Sequence, residues 1–373
     1  MYFSVTLVFS KSLKVVITVK SGVELIPEAE RALRRCLADV PFVQIEDFQV
    51  EPTLSGRPDL LAKLRLPTGE IALVLEVKSN GQPRIARNAV DQIGYMIRDI
   101  PNAYGVFVAP YISPRSAEIC VQRNIGYLDL AGNCRLSFWP VYVKTAGEKN
   151  PFAEKRKLRS LYSPTSVKTT TILRVLLENP KRVWKTRELA DAADASLGQV
   201  SNVKRQLEDR EWLKSETEGF LLTDPVALLA DWSGYYDMRC NRIYDFYSMK
   251  SIPQIEAELA DLCACENIKY ALTGFSGGAR YAPAVRYQRA TAYIADDAVA
   301  QVAKALSLKE VPSGANVSLI SPYDRNAFHG SRLVDGVCVA SPSQVYLDLQ
   351  STRGRGEEAA EAVLKGEIEP KWR

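Results

Sequence analysis

Short apolar runs alternate with amphipathic helical patterns over the first 145 residues of the chain. The apolar runs predict strands, and the segments with apolar residues at every third or fourth position predict helices. The predicted strands are 2–9, 15–19, 43–50, 60–66, 71–78, 103–109 and 125–129, and the predicted helices are 27–37, 83–98 and 113–123. This alternation predicts an α/β layer architecture with a partly parallel sheet.

Three charged residues lie where this pattern predicts a core. Residues 71–77 form an almost continuous apolar run, which is typical of a strand buried on both faces. Glu76 and Lys78 lie near its end and share one face, and Asp59 opens the preceding strand. Buried charges are costly unless they are paired or bind something, so the pattern favours an ion-binding site.

These residues resemble the PD-(D/E)xK nuclease superfamily. Pro58-Asp59 precedes the first strand, a turn follows at 67–70, and the second strand ends in Glu76-Val77-Lys78. The resemblance implies a restriction-endonuclease-like domain in which Asp59 and Glu76 bind Mg²⁺ and Lys78 activates the nucleophile. It also implies a further metal ligand, Glu30 on the preceding helix, and a catalytic Gln92 on the following helix.

The residues leave alternatives open for this site. A Glu-x-Lys tripeptide also occurs as an ion pair on a surface strand, and a solvated helix carboxylate explains Glu30 equally well. Members of this superfamily have also been recruited as binding modules, so the resemblance does not establish cleavage. Tyr95 follows Gln92 one position earlier than in the family motif, which leaves its role open.

The middle of the chain, residues 151–232, predicts three helices and a β-hairpin. Helical patterns cover 167–177, 187–193 and 197–210, and Thr186 and Ser196 are the expected caps of the second and third helices. Residues 212–214 and 220–222 flank a turn that contains Glu216 and Glu218, and they predict the hairpin. Three helices followed by a hairpin are typical of a winged helix-turn-helix domain.

The third of these helices carries the candidate DNA-binding residues, because helix-turn-helix modules place the second helix of their pair in the major groove. Residues 151–215 hold fourteen Lys and Arg against eight Asp and Glu, whereas the whole chain has a net charge of only +4. This local excess favours double-stranded DNA over a docked protein as the partner. The side chains that can reach bases or phosphates are Gln199, Ser201, Asn202, Lys204 and Arg205.

The last region, residues 233–373, predicts a second α/β domain. A strand at 269–273 leads through the glycine-rich stretch 274–278 into a helix, which resembles the start of the nucleotidyltransferase fold. That fold needs two metal-binding carboxylates on the following strand, but 290–294 carries none, and Asp296 and Asp297 lie beyond its end. We therefore expect a degenerate, non-catalytic domain in which the glycine-rich turn is structural.

A second resemblance covers much of the chain through local motifs. They are 128–133 (LDLAGN), 273–276 (TGFS), 341–348 (SPSQVYLD) and 354–360 (GRGEEAA). Together with a winged helix, they resemble AbiEi-type antitoxins and transcriptional regulators of type IV toxin–antitoxin systems. The resemblance implies DNA binding, autoregulation of an operon and a cognate toxin as partner. The long nuclease-like N-terminal region departs from family members that begin with the winged helix.

Composition argues against several other classes of protein. The chain has 46% hydrophobic and 25% charged residues, as ordinary globular proteins do. Seven scattered cysteines and one histidine argue against a zinc site or a disulfide scaffold and favour a reducing, cytoplasmic location. The apolar run 2–9 lacks the features of a signal peptide, and no stretch has the length needed to span a membrane.

We therefore predict three domains: nuclease-like at 1–150, winged helix at 151–232 and nucleotidyltransferase-like at 233–373. The leading hypothesis is a DNA-binding regulator of the antitoxin type that retains the residues of a Mg²⁺ site. The alternative is an active Mg²⁺-dependent DNA endonuclease that the winged helix targets to DNA. A weaker third hypothesis is a protein scaffold that does not bind DNA. The sequence leaves the oligomeric state open.

Overall fold

The computed structural model describes residues 25–52, 57–148, 161–163 and 165–372. These residues divide into two units, one that contains the residues up to 148 together with 208–211 and one that contains the others from 161 onward. The predicted strands at 2–9 and 15–19 lie outside the described residues, as does the basic segment 155–159. The sequence boundary expected near residue 233 falls inside the second unit, so the division into three domains stays a prediction.

The first unit contains a seven-stranded mixed sheet with the strands in chain order. The first three strands are antiparallel, the third to fifth are parallel, and the last two return to antiparallel pairing. The strands are β1 (Gln44–Val50), β2 (Leu60–Leu66), β3 (Gly69–Val77), β4 (Ala103–Ala109), β5 (Gly126–Asp129), β6 (Cys134–Phe138) and β7 (Val141–Thr145); the helices are α1 (Ile26–Leu37), α2 (Pro83–Met96) and α3 (Pro114–Gln122).

Helices cover both faces of this sheet, as the alternating pattern predicts. Ala29 and Leu33 of α1 share one apolar cluster with alternate residues of β2 and β3, such as Leu64 and Leu75. Helices α2 and α3 contribute to a separate cluster that contains Phe107 of β4. Because β3 and β4 are covered on both sides, their residues from 73 to 77 and from 104 to 109 are buried.

The hairpin of β6 and β7 has no counterpart among the predicted strands. Each strand is only five residues long, and in β6 buried residues alternate with half-buried ones, so neither forms a continuous apolar run. Ser113 caps α3, because its side chain accepts a hydrogen bond from the Ser116 backbone N–H.

The second unit begins with three helices and a hairpin. The helices are α4 (Val167–Glu178), α5 (Thr186–Ala192) and α6 (Leu197–Asp209), and the hairpin strands are β8 (Leu213–Glu216) and β9 (Gly219–Leu222). Trp184 pairs with Phe220, which joins the segment before α5 to the hairpin. The expectation that Thr186 caps α5 is wrong, because the helix already includes Thr186 and Lys185 occupies the cap position without a side-chain hydrogen bond.

A second seven-stranded mixed sheet follows, in the order β13-β10-β14-β12-β11-β16-β15. Its strands are β10 (Arg242–Tyr247), β11 (Tyr270–Leu272), β12 (Ala290–Ile294), β13 (Lys309–Glu310), β14 (Val317–Ser321), β15 (Arg332–Val334) and β16 (Val337–Val339). The helices are α7 (Pro225–Ser233), α8 (Ile252–Cys265), α9 (Gly274–Tyr281), α10 (Val299–Ala305), α11 (Pro342–Gln350), α12 (Gly356–Val363) and α13 (Glu369–Trp372). Among the residues described, no helix has the length and apolarity needed to cross a membrane.

One continuous apolar cluster connects the helical part of this unit to its sheet. Polar contacts support the junction, because Thr170 of α4 donates to Asp324 at 3.0 Å and Asn326 donates to Thr171 at 2.7 Å. The buried Arg174 of α4 lies over the Trp232 ring of α7, with its guanidinium carbon 4.9 Å from the ring centre. The helices and the sheet of the second unit therefore pack as one body.

Asp348 of α11 is the centre of a buried polar network in this unit. Its carboxylate accepts hydrogen bonds from Tyr236 at 2.6 Å, from Tyr293 at 2.9 Å and from Gln344 at 2.9 Å, as well as from Thr273. The side chain is fully buried, and burial raises the pKa of the Asp348 carboxyl while the hydrogen bonds oppose that shift. The network therefore joins α11, β12, the residue between β11 and α9 and the segment before β10.

We expect Asp348→Asn to destabilise the second unit, because the new amide group faces hydroxyl and amide donors. Hydrogen bonds to a buried charged group contribute about 1.5–3 kcal/mol each, so we expect a loss of about 2–3 kcal/mol in the free energy of unfolding, measured by denaturant titration. Asp335→Asn, at an exposed turn with φ 48°, is the control. Equal stability of the two variants would contradict the role of Asp348.

Candidate metal centre and DNA-binding surface

The pairing of β2 with β3 brings Asp59 and Glu76 together. Leu60 pairs with Leu75, so the next position along the same antiparallel register places Asp59 opposite Glu76. The Asp59 carboxylate accepts a hydrogen bond from the Val77 backbone N–H at 2.7 Å. The sequence prediction that these two carboxylates are neighbours at the end of adjacent strands agrees with this geometry.

Both carboxylates point to the face of the sheet that α2 covers. Leu61 lies two residues from Asp59, and Val74 lies two residues from Glu76. Both pack against Met96 of α2. Side chains two apart in a strand share a face. Lys78, directly after β3, has its ammonium group in contact with a Glu76 carboxylate oxygen.

The Glu76 side chain is 5% exposed, whereas that of Lys78 is 32% exposed. Burial raises the pKa of the Glu76 carboxyl, the negative charge of Asp59 adds to that shift, and the contact with Lys78 opposes it. Lys78 binds only Oε1; Glu76 Oε2 is buried and has no hydrogen-bond partner among the described residues. A buried carboxylate oxygen without a donor is costly, and a cation would satisfy it.

The donor set is compatible with Mg²⁺ bound by two carboxylates. Mg²⁺ prefers oxygen ligands, keeps several waters and is held by one or two protein carboxylates in many sites. Among the described residues there is no group of three or more His, Cys, Asp and Glu side chains that could hold a metal ion. A Mg²⁺ ion at Asp59 and Glu76 would therefore complete its coordination with water or with phosphate oxygens.

The other residues that the resemblance implies lie on the expected helices. Glu30 of α1 accepts hydrogen bonds from Arg34, one of them at 2.9 Å, so its carboxylate is engaged within its own helix. Gln92 lies on an exposed position of α2, and Tyr95 is exposed as well. Their roles in metal binding and catalysis stay predictions.

Helix α6 presents most of the predicted DNA-binding residues to solvent. Val200, Val203 and Leu207 are buried, so the stripe of the helix that faces the core is apolar. Ser201, Asn202 and Arg205 lie on the exposed side. Arg205 donates a hydrogen bond to the Asn202 side-chain oxygen at 2.9 Å, which orients the two side chains together.

Two of the predicted residues also have structural contacts. Gln199 accepts hydrogen bonds from the Ser196 backbone N–H at 2.9 Å and from the Ser196 hydroxyl at 3.1 Å, while Ser196 accepts one from the Gln199 N–H. This reciprocal pair is a capping box at the start of α6. Lys204 lies over the Phe220 ring of the hairpin at 4.9 Å, so it is directed towards the hairpin rather than to the outer face.

A shallow pocket of about 400 Å³ lies between α6 and the hairpin. Two lysines, Lys185 and Lys204, contribute to its wall, and Glu216 and Glu218 contribute from the hairpin. Glu216 pairs with Lys214 at 2.8 Å. Because acidic side chains line the hairpin side, the exposed side of α6 is the better surface for the phosphates of DNA.

The glycine-rich turn at the start of α9 has structural contacts, in agreement with its expected role. Ser276 accepts a hydrogen bond from the Thr291 backbone N–H at 3.0 Å. A Cβ atom on Gly277 would lie 2.9 Å from the Leu272 carbonyl oxygen.

Sequence reasoning did not identify Asp348 as the centre of a network, because its partners Tyr236, Thr273 and Tyr293 are distant in the chain.

The C-terminal part of the chain matches a known protein family. Residues 221–369 match a family model described as transcriptional regulator, AbiEi antitoxin, type IV TA system. No curated protein and no solved structure matches the chain. The match overlaps three of the four motifs from which the sequence suggested this family, those at 273–276, 341–348 and 354–360.

We expect the folding stability of the Glu76→Gln variant to increase relative to that of wild type as the pH rises. Because the pKa of Glu76 is raised, the folded state favours the protonated carboxyl. The stability that this protonated form contributes is fully present below the unfolded-state pKa of about 4.3 and is lost as the pH rises through the folded-state pKa. Gln does not ionise. Hydrogen exchange of the β3 amides, compared at matched pH values, measures the difference.

The control for this experiment is Glu70→Gln, because Glu70 lies on the same strand with its side chain 68% exposed. The stability difference between Glu70→Gln and wild type should stay nearly constant over the same pH range. A pH-independent difference for Glu76→Gln would show that the Glu76 carboxyl is not destabilised by burial.

Proposed function

We propose that the chain is a DNA-binding transcriptional regulator of the antitoxin type. The observation that carries this proposal is the exposed polar side of α6, just ahead of the region that matches the antitoxin and regulator family. The arrangement of α4, α5, α6 and the β8–β9 hairpin supports a winged helix. In this proposal the matched region contributes the antitoxin function and a cognate toxin is its partner.

The geometry of α6 suits insertion into the major groove, which is about 12 Å wide and admits one helix. The apolar stripe of Val200, Val203 and Leu207 is buried, which leaves the opposite side available to DNA. Arg side chains pair with guanine and Asn side chains pair with adenine in this groove. Arg205 and Asn202 are therefore the side chains that we assign to base recognition, and Ser201 is assigned to a phosphate.

Two residues take supporting roles in this proposal. Gln199 closes the capping box with Ser196 and so fixes the start of α6. Lys204 packs over Phe220 and fixes the hairpin against α6. Lys204 can still contribute its positive charge to the attraction of phosphates, because an ammonium group over an aromatic ring keeps its charge.

We expect an Asn202→Ala/Arg205→Ala double variant to bind DNA about 10- to 100-fold more weakly, since a good base contact contributes about 1–3 kcal/mol. The probe is a duplex from upstream of the chain's own gene, and binding is measured by fluorescence anisotropy over a range of salt concentrations. Because both side chains are assigned to base recognition, the loss should be larger for this duplex than for an unrelated duplex of equal length.

The matched control is Arg239→Ala, which removes an exposed arginine that pairs with Asp237 outside the three helices and the hairpin. Arg239→Ala removes one positive charge, as Arg205→Ala does. This control variant should bind DNA nearly as strongly as wild type does. If the double variant and the control bind alike, with equal salt slopes, α6 is not the DNA-binding helix.

A second candidate function, Mg²⁺-dependent cleavage of DNA, is favoured by the buried Oε2 of Glu76, which has no hydrogen-bond partner in the part of the chain that the structure describes. Asp59 and Glu76 would hold the ion, which would supply Lewis-acid activation of a phosphodiester and of a bound water. The Lys78 side chain is 32% exposed, so its ammonium group can meet a phosphate or orient the attacking water. For this second function, α6 would bind the DNA that the chain cleaves.

The test is the incubation of supercoiled and linear DNA with Mg²⁺ and purified wild type, Glu76→Gln or Glu70→Gln. If the chain is a nuclease, we expect wild type and Glu70→Gln to cleave equally and Glu76→Gln to lose about 100-fold or more, as when a preorganised catalytic group is removed. Addition of EDTA should stop the cleavage.

Two results would contradict the nuclease function. Absence of cleavage by pure wild type on all substrates would leave the regulator function alone. Equal cleavage by Glu76→Gln and Glu70→Gln would identify a contaminating nuclease. DNA binding by α6 is measured separately by fluorescence anisotropy, so the two proposed functions can fail separately.

A further inference from the structure

Two cysteines that are 98 residues apart in sequence meet inside the first unit. Cys36 lies on the last turn of α1, and Cys134 is the first residue of β6. Their sulfur atoms are 3.1 Å apart, and the Cys36 thiol donates a hydrogen bond to the Cys134 sulfur. Cys134 is 3% exposed, whereas Cys36 is half-buried and therefore accessible from one side.

We propose that Cys36 and Cys134 form a reversible disulfide under oxidation, so that this thiol pair is a redox modification site. A disulfide bond is about 2.05 Å long, so the two sulfurs must approach by only about 1 Å. The bond would join the end of α1 covalently to strand β6 of the sheet. The oxidant class is a hydroperoxide, and hydrogen peroxide is its simplest member.

The electronic environments of the two sulfurs differ in the way that this reaction needs. The hydrogen bond from Cys36 lowers the pKa of the Cys134 thiol, and Thr145 adds to the shift, although burial opposes it. The same hydrogen bond, together with burial, raises the pKa of Cys36. The proton of the pair therefore stays on Cys36, and Cys134 is the sulfur with thiolate character.

The reaction balances in two steps. The Cys134 thiolate attacks one peroxide oxygen, the O–O bond breaks, and the products are a sulfenic acid and a hydroxide ion that takes a proton to become water. The Cys36 sulfur then attacks the sulfenic sulfur; the S–O bond breaks, and the departing hydroxide takes the Cys36 proton and leaves as water. Two thiols and one hydrogen peroxide give one disulfide and two waters, and a dithiol reductant reverses the change.

The other cysteines provide an internal comparison. Cys240 and Cys265 are exposed, so a reaction controlled by access alone would modify them first. Cys120 is buried, and burial raises its pKa to about 12, which makes it unreactive. The geometry instead selects Cys36 and Cys134 for the cross-link, although Cys134 is among the buried cysteines.

The experiment treats the full chain with hydrogen peroxide, blocks free thiols with an alkylating reagent and maps the peptides by mass spectrometry without reduction. We expect one cross-linked peptide pair that contains Cys36 and Cys134, with the loss of two hydrogen atoms, and its disappearance after dithiothreitol. We also expect the thermal unfolding midpoint of the oxidised chain to rise, because the cross-link closes a long loop in the unfolded state.

Cys36→Ser should abolish both the cross-linked pair and the rise in the midpoint, whereas the exposed-site control Cys265→Ser should keep both. Wild type alone already tests the proposal, since no variant has to fold for the peptide map to be read. Oxidation of Cys36 to a sulfinic acid without the cross-link would overturn the proposal, as would cross-links only at Cys240 or Cys265. Neither outcome depends on DNA binding or cleavage.

Discussion

The burial of one apolar stripe of α6 determines which surface of the second unit can meet a partner. Val200, Val203 and Leu207 pack into the core, and burial of each such side chain contributes about 1.5–3 kcal/mol. The helix cannot rotate without exposing them. Ser201, Asn202 and Arg205 are therefore held on the outside, and their availability to DNA follows from packing on the opposite side of the helix.

In the first unit, by contrast, the candidate site does not lie on an exposed helix. It lies where β2 begins and β3 ends, and the Glu76 side chain there is buried. The register of β2 and β3 places Asp59 opposite Glu76, and burial makes two adjacent negative charges costly. Lys78 compensates for part of the charge at one Glu76 oxygen, while the other oxygen lacks a donor among the described residues. We propose that a cation satisfies this oxygen.

The parts of the fold that the sequence predicted are those with strong local signals. The strands at 60–66, 103–109 and 290–294 agree with the structure to the residue, because apolar or β-branched runs with clear ends define them. The short hairpin β6–β7 and strand β10 were missed, because they mix exposed and buried positions. The helix-cap error at Thr186 is a shift of one residue.

Some contacts of the candidate site residues could likewise be predicted from sequence, and others could not. The proximity of Asp59, Glu76 and Lys78 could be predicted from sequence because they lie at the adjoining ends of two neighbouring strands. The direction of Lys204 towards Phe220 depends on the hairpin, and the Asp348 network depends on several distant segments. Contacts of these kinds are set by tertiary packing, which local spacing does not report.

The central claim, that α6 binds duplex DNA, is tested most directly by photo-crosslinking of the full chain to duplex DNA that carries diazirine groups on its bases. Peptides cross-linked to the DNA are then identified by mass spectrometry. We expect cross-links within 197–209, centred on the exposed residues Ser201, Asn202 and Arg205. Cross-links confined to the first unit or to the region 233–372, with none in α6, would contradict it.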